Sequence, residues 1–146
     1  MASMRIPTGL KKYDIEDMEG NVLDCFYFNP TDVDIVDRYQ ESVEKIEMKL
    51  EEIAKMEELA NDDIDSVCKM HKLLRPVLCK AIDDIFKTNI SEKFFSIMSP
   101  FTLFEDGTMF YEIVLMEIAK IIEEECNQRL KKVDVRISKY TSKYRK

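Results

Sequence analysis

Thr31 to Leu59 reads TDVDIVDRYQESVEKIEMKLEEIAKMEEL, and the fold turns on how this stretch is understood. Val36, Tyr39, Val43, Ile46, Leu50 and Ile53 recur at alternating spacings of three and four, which lays a narrow apolar seam along one side of a helix. Thr31, followed three residues later by Asp34, predicts an N-cap and capping box, and Asp32 and Asp34 put negative charge at the positive end of the helix dipole. No Gly or Pro interrupts the following 28 residues. At ~1.5 Å per residue the stretch predicts a rod roughly 40 Å long. Asp37, Glu41, Glu44, Glu47, Glu51 and Glu52 take its outer sides with Lys45, Lys49 and Lys55 among them, and Glu41–Lys45 and Glu51–Lys55 have the favourable order for i,i+4 ion pairs.

On the N-terminal side, residues 1–11 carry little pattern and are expected to be loosely held. From Lys12 to Phe28 two short apolar-aromatic runs flank Gly20-Asn21, the composition of a β-hairpin. An isolated hairpin is marginal in water, so this one needs a helix to lie against or a neighbouring chain to extend it. Asn29-Pro30 ends the second strand and delivers the chain to Thr31.

On the C-terminal side, Asn61-Asp62-Asp63 predicts a turn and the cap of a second helix, whose apolar face is Ile64, Val67, Met70/His71, Leu74, Leu78, Ala81/Ile82 and Ile85. Pro76 lacks an amide donor, which predicts a kink or break near Leu74–Arg75. Asn89 with Glu92 predicts the cap of a short helix through Phe95 and Met98, stopped at Ser99-Pro100. Six of the fourteen aromatics fall between Phe94 and Tyr111, marking this corner as a dense anchor of the core or as an exposed docking patch. A last helix is expected from near Thr108. From Phe110 to Ile122 only Glu112, Glu117 and Lys120 are charged, so nearly every side is apolar, as in a helix central to a bundle or shared between subunits.

Past Glu125 the pattern narrows to a second seam. Cys126, Leu130, Val133, Ile137, Tyr140 and Tyr144 are spaced 4, 3, 4, 3, 4. Residues 129–146 hold eight basic side chains against the single acid Asp134, a net +7; with −7 overall, the rest of the chain carries −14. A chain so divided can associate with itself, within a subunit or head to tail. The basic seam matches the acidic one from Val36 to Ile53 in period and opposes it in sign. The tail with Tyr140 and Tyr144 has the means to meet phosphates and stack on bases, but the acidic remainder repels the same polyanion, which argues against nucleic acid.

With 146 residues, 3 Gly, 4 Pro and 35% charged residues, one mostly helical domain is the expectation. Its divisions are a loosely ordered 1–11, a hairpin over 12–28, a helical core over 31–127 and a basic amphipathic segment over 128–146. Cys25, Cys68, Cys79 and Cys126 lack paired spacing and read as reduced thiols. Neither a signal-peptide pattern nor an apolar run of ~18 residues is present, so a soluble, cytoplasmic protein without membrane contact is expected. Cys68, His71 and Cys79 are the only candidates for a metal or a Cys–His nucleophile; with one His in the chain they fall short of four closed ligands and of an oriented catalytic group. The carboxylates solvate helix faces without a Glu-x-x-His signature, and Gly9, Gly20 and Gly107 are too far apart to cradle phosphate. The residues thus predict no enzyme, no cofactor and no metal.

Arg136-Ile137-Ser138-Lys139-Tyr140-Thr141-Ser142-Lys143-Tyr144-Arg145, the run Phe28-Asn29-Pro30-Thr31-Asp32-Val33 before a long helix with Arg38-Tyr39, and Asn89-Ile90-Ser91-Glu92 before Phe94-Phe95, then Gly107 and an apolar helix, resemble a family of small tail-module proteins of phages and prophages of Gram-positive hosts. The likeness runs from about Cys25 onward. It implies a protein of the tail assembly chaperone type, acting in the bacterial host on a tape-measure or other tail protein. Amphipathic seams suit such a client, with Val36, Tyr39, Val43, Ile46, Phe101, Phe104, Leu130, Val133, Ile137 and Tyr140 as the expected partner-binding residues. The competing expectation is an anti-defence inhibitor (anti-CRISPR-like) or regulator, acting on a host defence protein or by acidic mimicry of nucleic acid. The architecture expected under either is mostly α with a small N-terminal β-hairpin: a helical bundle with a long first helix and a long C-terminal helix with a basic end, assembled as a homo-oligomer.

Overall fold

A computed structural model describes residues 2–56 and 63–144, with side chains up to Gln128. The fold is mostly α: two antiparallel strands, β1 (Lys11–Glu16) and β2 (Val22–Phe28), precede helices α1 (Asp34–Ala54), α2 (Ile64–Phe86), α3 (Ser91–Phe95) and α4 (Phe110–Tyr144).

The hairpin forms where the apolar-aromatic runs predict it. Tyr13 opposes Phe26 and Lys11 opposes Phe28; a register shift between Ile15 and Glu16 leaves Leu23 as the extra residue. The connection is a five-residue loop tied by one carboxylate. Asp17 accepts the N–H groups of Glu19 and Asn21, both at 2.9 Å, and the Asn21 amide at 3.0 Å. Those bonds, the Asn21 side chain first, hold Asp17 below the usual carboxylate range. Gly20, at φ +87°, supplies the left-handed step that closes the loop. Residues 2–10 are exposed and without regular structure, tethered where the Asn29 amide donates to the Thr8 carbonyl.

α1 is shorter than its sequence predicts. It starts at Asp34 with Val33 at the N-cap. Thr31 donates its hydroxyl to Asn29 Oδ1 at 2.8 Å instead of capping, and the Asp32 carboxylate takes the Asp34 N–H at 3.1 Å. The helix ends at Ala54 after 21 residues, ~30 Å of rod; Glu57–Leu59 lie outside the described residues. Neither expected i,i+4 pair forms among the described residues: Lys45 reaches Asp84 of α2 and Lys49 reaches Glu52.

α2 is capped by Asp63, whose carboxylate accepts the Ser66 N–H at 2.8 Å; the cap residues Asn61 and Asp62 lie outside the described residues. It runs through Pro76 as one continuous helix, so of the kink or break expected near Leu74–Arg75 the break does not form. Pro76 is exposed, so the lost hydrogen bond falls on a solvent side where water can serve the freed carbonyl. Leu74, Leu78, Ala81, Ile82 and Ile85 of α2 meet Ile35, Ile46 and Ile53 of α1 and Val114, Leu115, Ile118 and Ile122 of α4 in one core. α3 is capped from a distance: Asp83 Oδ1 accepts the N–H groups of Ile90 at 2.9 Å and Ser91 at 2.8 Å, where sequence spacing predicts Asn89. At the start of α4 the Glu112 carboxylate receives the Met109 N–H at 2.8 Å.

Phe26 and Phe28 set the hairpin on the helices. Their rings meet Phe86 edge-on at 5.7 and 4.9 Å, and Phe26 meets Phe94 at 5.4 Å. Lys93 donates to the Cys25 carbonyl at 3.0 Å, and Lys11 pairs with Glu125 of α4. Replacing Asp83 by Ala removes the acceptor of two backbone donors at the α2–α3 corner. Equilibrium urea denaturation is expected to show a loss of about 1–2 kcal/mol, against less than ~0.5 kcal/mol for Asn89→Ala, which caps nothing.

Candidate functional site

The seam of α1 is answered within the chain. Ile46 is 3% exposed and Ile53 is equally buried, while Val36, Tyr39 and Leu50 pack against the same core and Val43 is half-buried. Tyr39 donates its hydroxyl to the Leu115 carbonyl of α4 at 2.9 Å, and burial raises its phenol pKa. The buried face is Ile35, Ser42, Ile46 and Ile53, spaced 7, 4 and 7 along one side of the helix. Val36, Tyr39 and Ile46, expected to grip a partner, pack on the chain's own core, and Val43, expected to do the same, is half-buried beside them.

The aromatic corner divides into an anchor and a rim. Phe101 is 8% exposed and belongs to the anchor, a correction to its expected partner role. Its ring lies flat on His71 with centroids 4.1 Å apart and planes 2° from parallel, Tyr111 meets it edge-on at 6.1 Å, and Arg75 stands 5.5 Å from its centroid. Phe104 belongs to the rim, 37% exposed beside the more exposed Leu103. It lines an open depression with Glu105, Asp106, Thr108 and Ile113. Asp106 fixes the turn beneath it, accepting the Thr108 hydroxyl at 2.6 Å and N–H at 3.0 Å. Leu130, Val133, Ile137 and Tyr140 are helical in α4, and their side chains lie outside the described residues.

Two residues that their spacing assigns to the core are at the surface. Ile64 is 80% exposed and Val67 41%, although Val67 shares the face of α2 that carries Leu74 and Leu78 two and three turns on, and Ile64 lines up with the buried Ile82 five turns on. Val67 stands one helical turn before His71, and Phe101, which His71 carries, leads directly to Leu103 and Phe104. Periodicity cannot detect such an opening, because it reports which residues share a face and not whether anything covers it.

The titratable and ligating residues are dispersed. Cys68 is exposed and Cys79 half-buried, its thiol pushed up by burial. Among the described residues no three His, Cys, Asp or Glu side chains come together to hold a metal. His71 Nε2 is enclosed without a hydrogen-bond partner, so nothing orients the imidazole toward a nucleophile. No helix among the described residues is long and apolar enough to cross a membrane. No family model, curated protein or solved structure gives a significant match to the chain.

Burial, and then the Arg75 charge, depress the pKa of His71 below the ordinary 6.5. The folded state thus binds its proton less readily than the unfolded chain. The contribution is full above pH 6.5 and is lost as the pH falls through the folded pKa. His71 is the single histidine, so one imidazole resonance followed by NMR should titrate below 6.5. His71→Phe should flatten the fall in melting temperature between about pH 7 and 5 relative to wild type.

Proposed function

We propose that this chain is a non-enzymatic binding protein of the phage or prophage tail assembly chaperone type, which takes a segment of a helical client, the tape-measure protein, against the open start of α2. The observation that carries the reading is the exposure of Ile64 and Val67 on the very face that forms the core farther along. A face continuing past its own covering presents i and i+3 anchors to a client helix, the pattern of helix-in-groove recognition. Leu103 and Phe104 are a further pair of exposed apolar side chains, on the loop before α4. The acidic outer surface keeps such a protein in solution until the client arrives.

A second reading rests on the outer face of α1. Asp37, Glu41, Glu44 and Glu51 are exposed and make no ion pair among the described residues. They offer an anti-defence inhibitor the means to mimic a polyanion in a basic groove. Binding of that kind falls steeply with ionic strength, whereas apolar docking on α2 does not.

Co-expression of the tagged chain with the tape-measure protein of the same phage is expected to capture it in either order of tagging. Ile64→Asp combined with Val67→Asp should lower the amount captured at least about tenfold, the scale of two lost anchors. The melting temperature should move by no more than ~3 °C, because neither side chain is in the core. No capture by wild type in either order, at both 0.1 and 0.5 M salt, would remove the chaperone reading.

A further inference from the structure

The outer side of α1 carries a stripe that the packing of the core leaves unused. Asp37, Glu41, Glu44, Met48 and Glu51 are spaced 4, 3, 4, 3 and all are exposed, Met48 at 68%. The nearest lysines on the same helix are engaged elsewhere, Lys45 with Asp84 and Lys49 with Glu52. Four carboxylates therefore stand in a row along the helix, repelling one another and without a cation among the described residues.

The C-terminal part of α4 holds the counterpart. Arg129, Lys132, Arg136, Lys139 and Lys143 are spaced 3, 4, 3, 4, so these positions also run along one side of their helix, beside the apolar row from Cys126 to Tyr144. Each stripe covers the same 14 residue steps, ~21 Å of helix. The two agree in length and period and oppose in sign, as flanking charges do in paired coiled-coil helices.

The described part of α4 runs past the start of α1 and away from its acidic stripe. α4 runs antiparallel to α1, since Leu115 meets Tyr39 while Cys126, farther along, meets the carbonyl of Pro30, before α1 begins. A helix continued from Cys126 leads away from Asp37–Glu51, and α4 is helical without interruption to Tyr144. We infer that the basic stripe of α4, Arg129–Lys143, lies along the acidic stripe of α1, Asp37–Glu51, in a second copy of the chain. Met48 in the middle of the acidic row gives the incoming helix one apolar contact. The association is independent of any client and uses a face of α1 other than the one that holds the core.

Charge exchange on the purified full-length chain tests it by sedimentation equilibrium and light scattering. Wild type at 0.05 M NaCl is expected to exceed the 17.2 kDa of one chain, with the apparent dissociation constant raised on the order of tenfold or more at 0.5 M NaCl. Glu41→Lys, Glu44→Lys and Glu51→Lys together should give a monomer at low salt, as should Arg136→Glu, Lys139→Glu and Lys143→Glu together. Mixing the two triple variants should restore assembly, because each then supplies the sign the other lacks. If a reversal impairs folding, the set Glu41→Gln, Glu44→Gln and Glu51→Gln serves in its place and should weaken assembly and flatten its salt dependence. A wild type of 17.2 kDa at low salt overturns the inference. So do reversed variants that assemble as wild type does, or a mixture that stays monomeric. A basic reversal that leaves assembly intact and abolishes retention on single-stranded DNA would assign the stripe to nucleic acid and overturn it equally.

Discussion

Two phenylalanines on one strand fix the relation of the molecule's parts. Phe26 and Phe28 stand two residues apart on β2, so both rings leave the same side of the hairpin, where Phe86 closes against each of them at the end of α2. Edge-to-face pairs of this kind add ~0.5–1.5 kcal/mol each beyond the area they bury, enough to hold a two-stranded sheet that is marginal alone. With the hairpin seated there, Asn29-Pro30 must launch α1 beside the last turns of α2. Cys126 then comes to rest on Pro30 and Lys11 on Glu125. The antiparallel course of α4 along α1 follows from that seating.

That arrangement decides which apolar surface is free. α1 closes against α2 and α4 along Ile35, Ile46 and Ile53, leaving to solvent a mainly charged side that also carries Gln40 and Met48. In the first turn of α2, Ile64 and Val67 stay exposed while Ser66 between them is buried. Under the proposed function, a face that is core at one end and surface at the other joins stability and recognition in one helix, and partner contacts placed there leave the buried half undisturbed.

Elements with a local signal were legible in the sequence. The hairpin announced itself through Tyr13, Phe26 and Phe28 around Gly20-Asn21, α2 through the recurrence from Leu74 to Ile85, and the apolar start of α4 through the scarcity of charge between Phe110 and Ile122. What escaped was set by partners far away in the chain. Asp83 caps α3 across a turn that no spacing rule links to it. Thr31 bonds back to Asn29, and α1 therefore starts later than its capping signature suggests. The seam of α1 was correctly seen as apolar, but a seam looks the same in sequence whether a neighbouring helix of the same chain or another molecule covers it. For that reason Phe104, but not Phe101, kept a place at the surface among the aromatic residues expected to bind.

The seating of the hairpin also bears on how the chain emerges during synthesis. Phe86 and Phe94 follow Phe28 by 58 and 66 residues. At ~5–20 residues per second the aromatic side of a newly made hairpin waits several seconds for its platform. Through that interval its apolar side is a greasy flap with nothing to lie on. The hairpin, made before its platform, is thus among the last elements to settle, and a nascent chain stalled before α2 is complete would display Tyr13, Phe26 and Phe28 to whatever quality-control machinery is at hand.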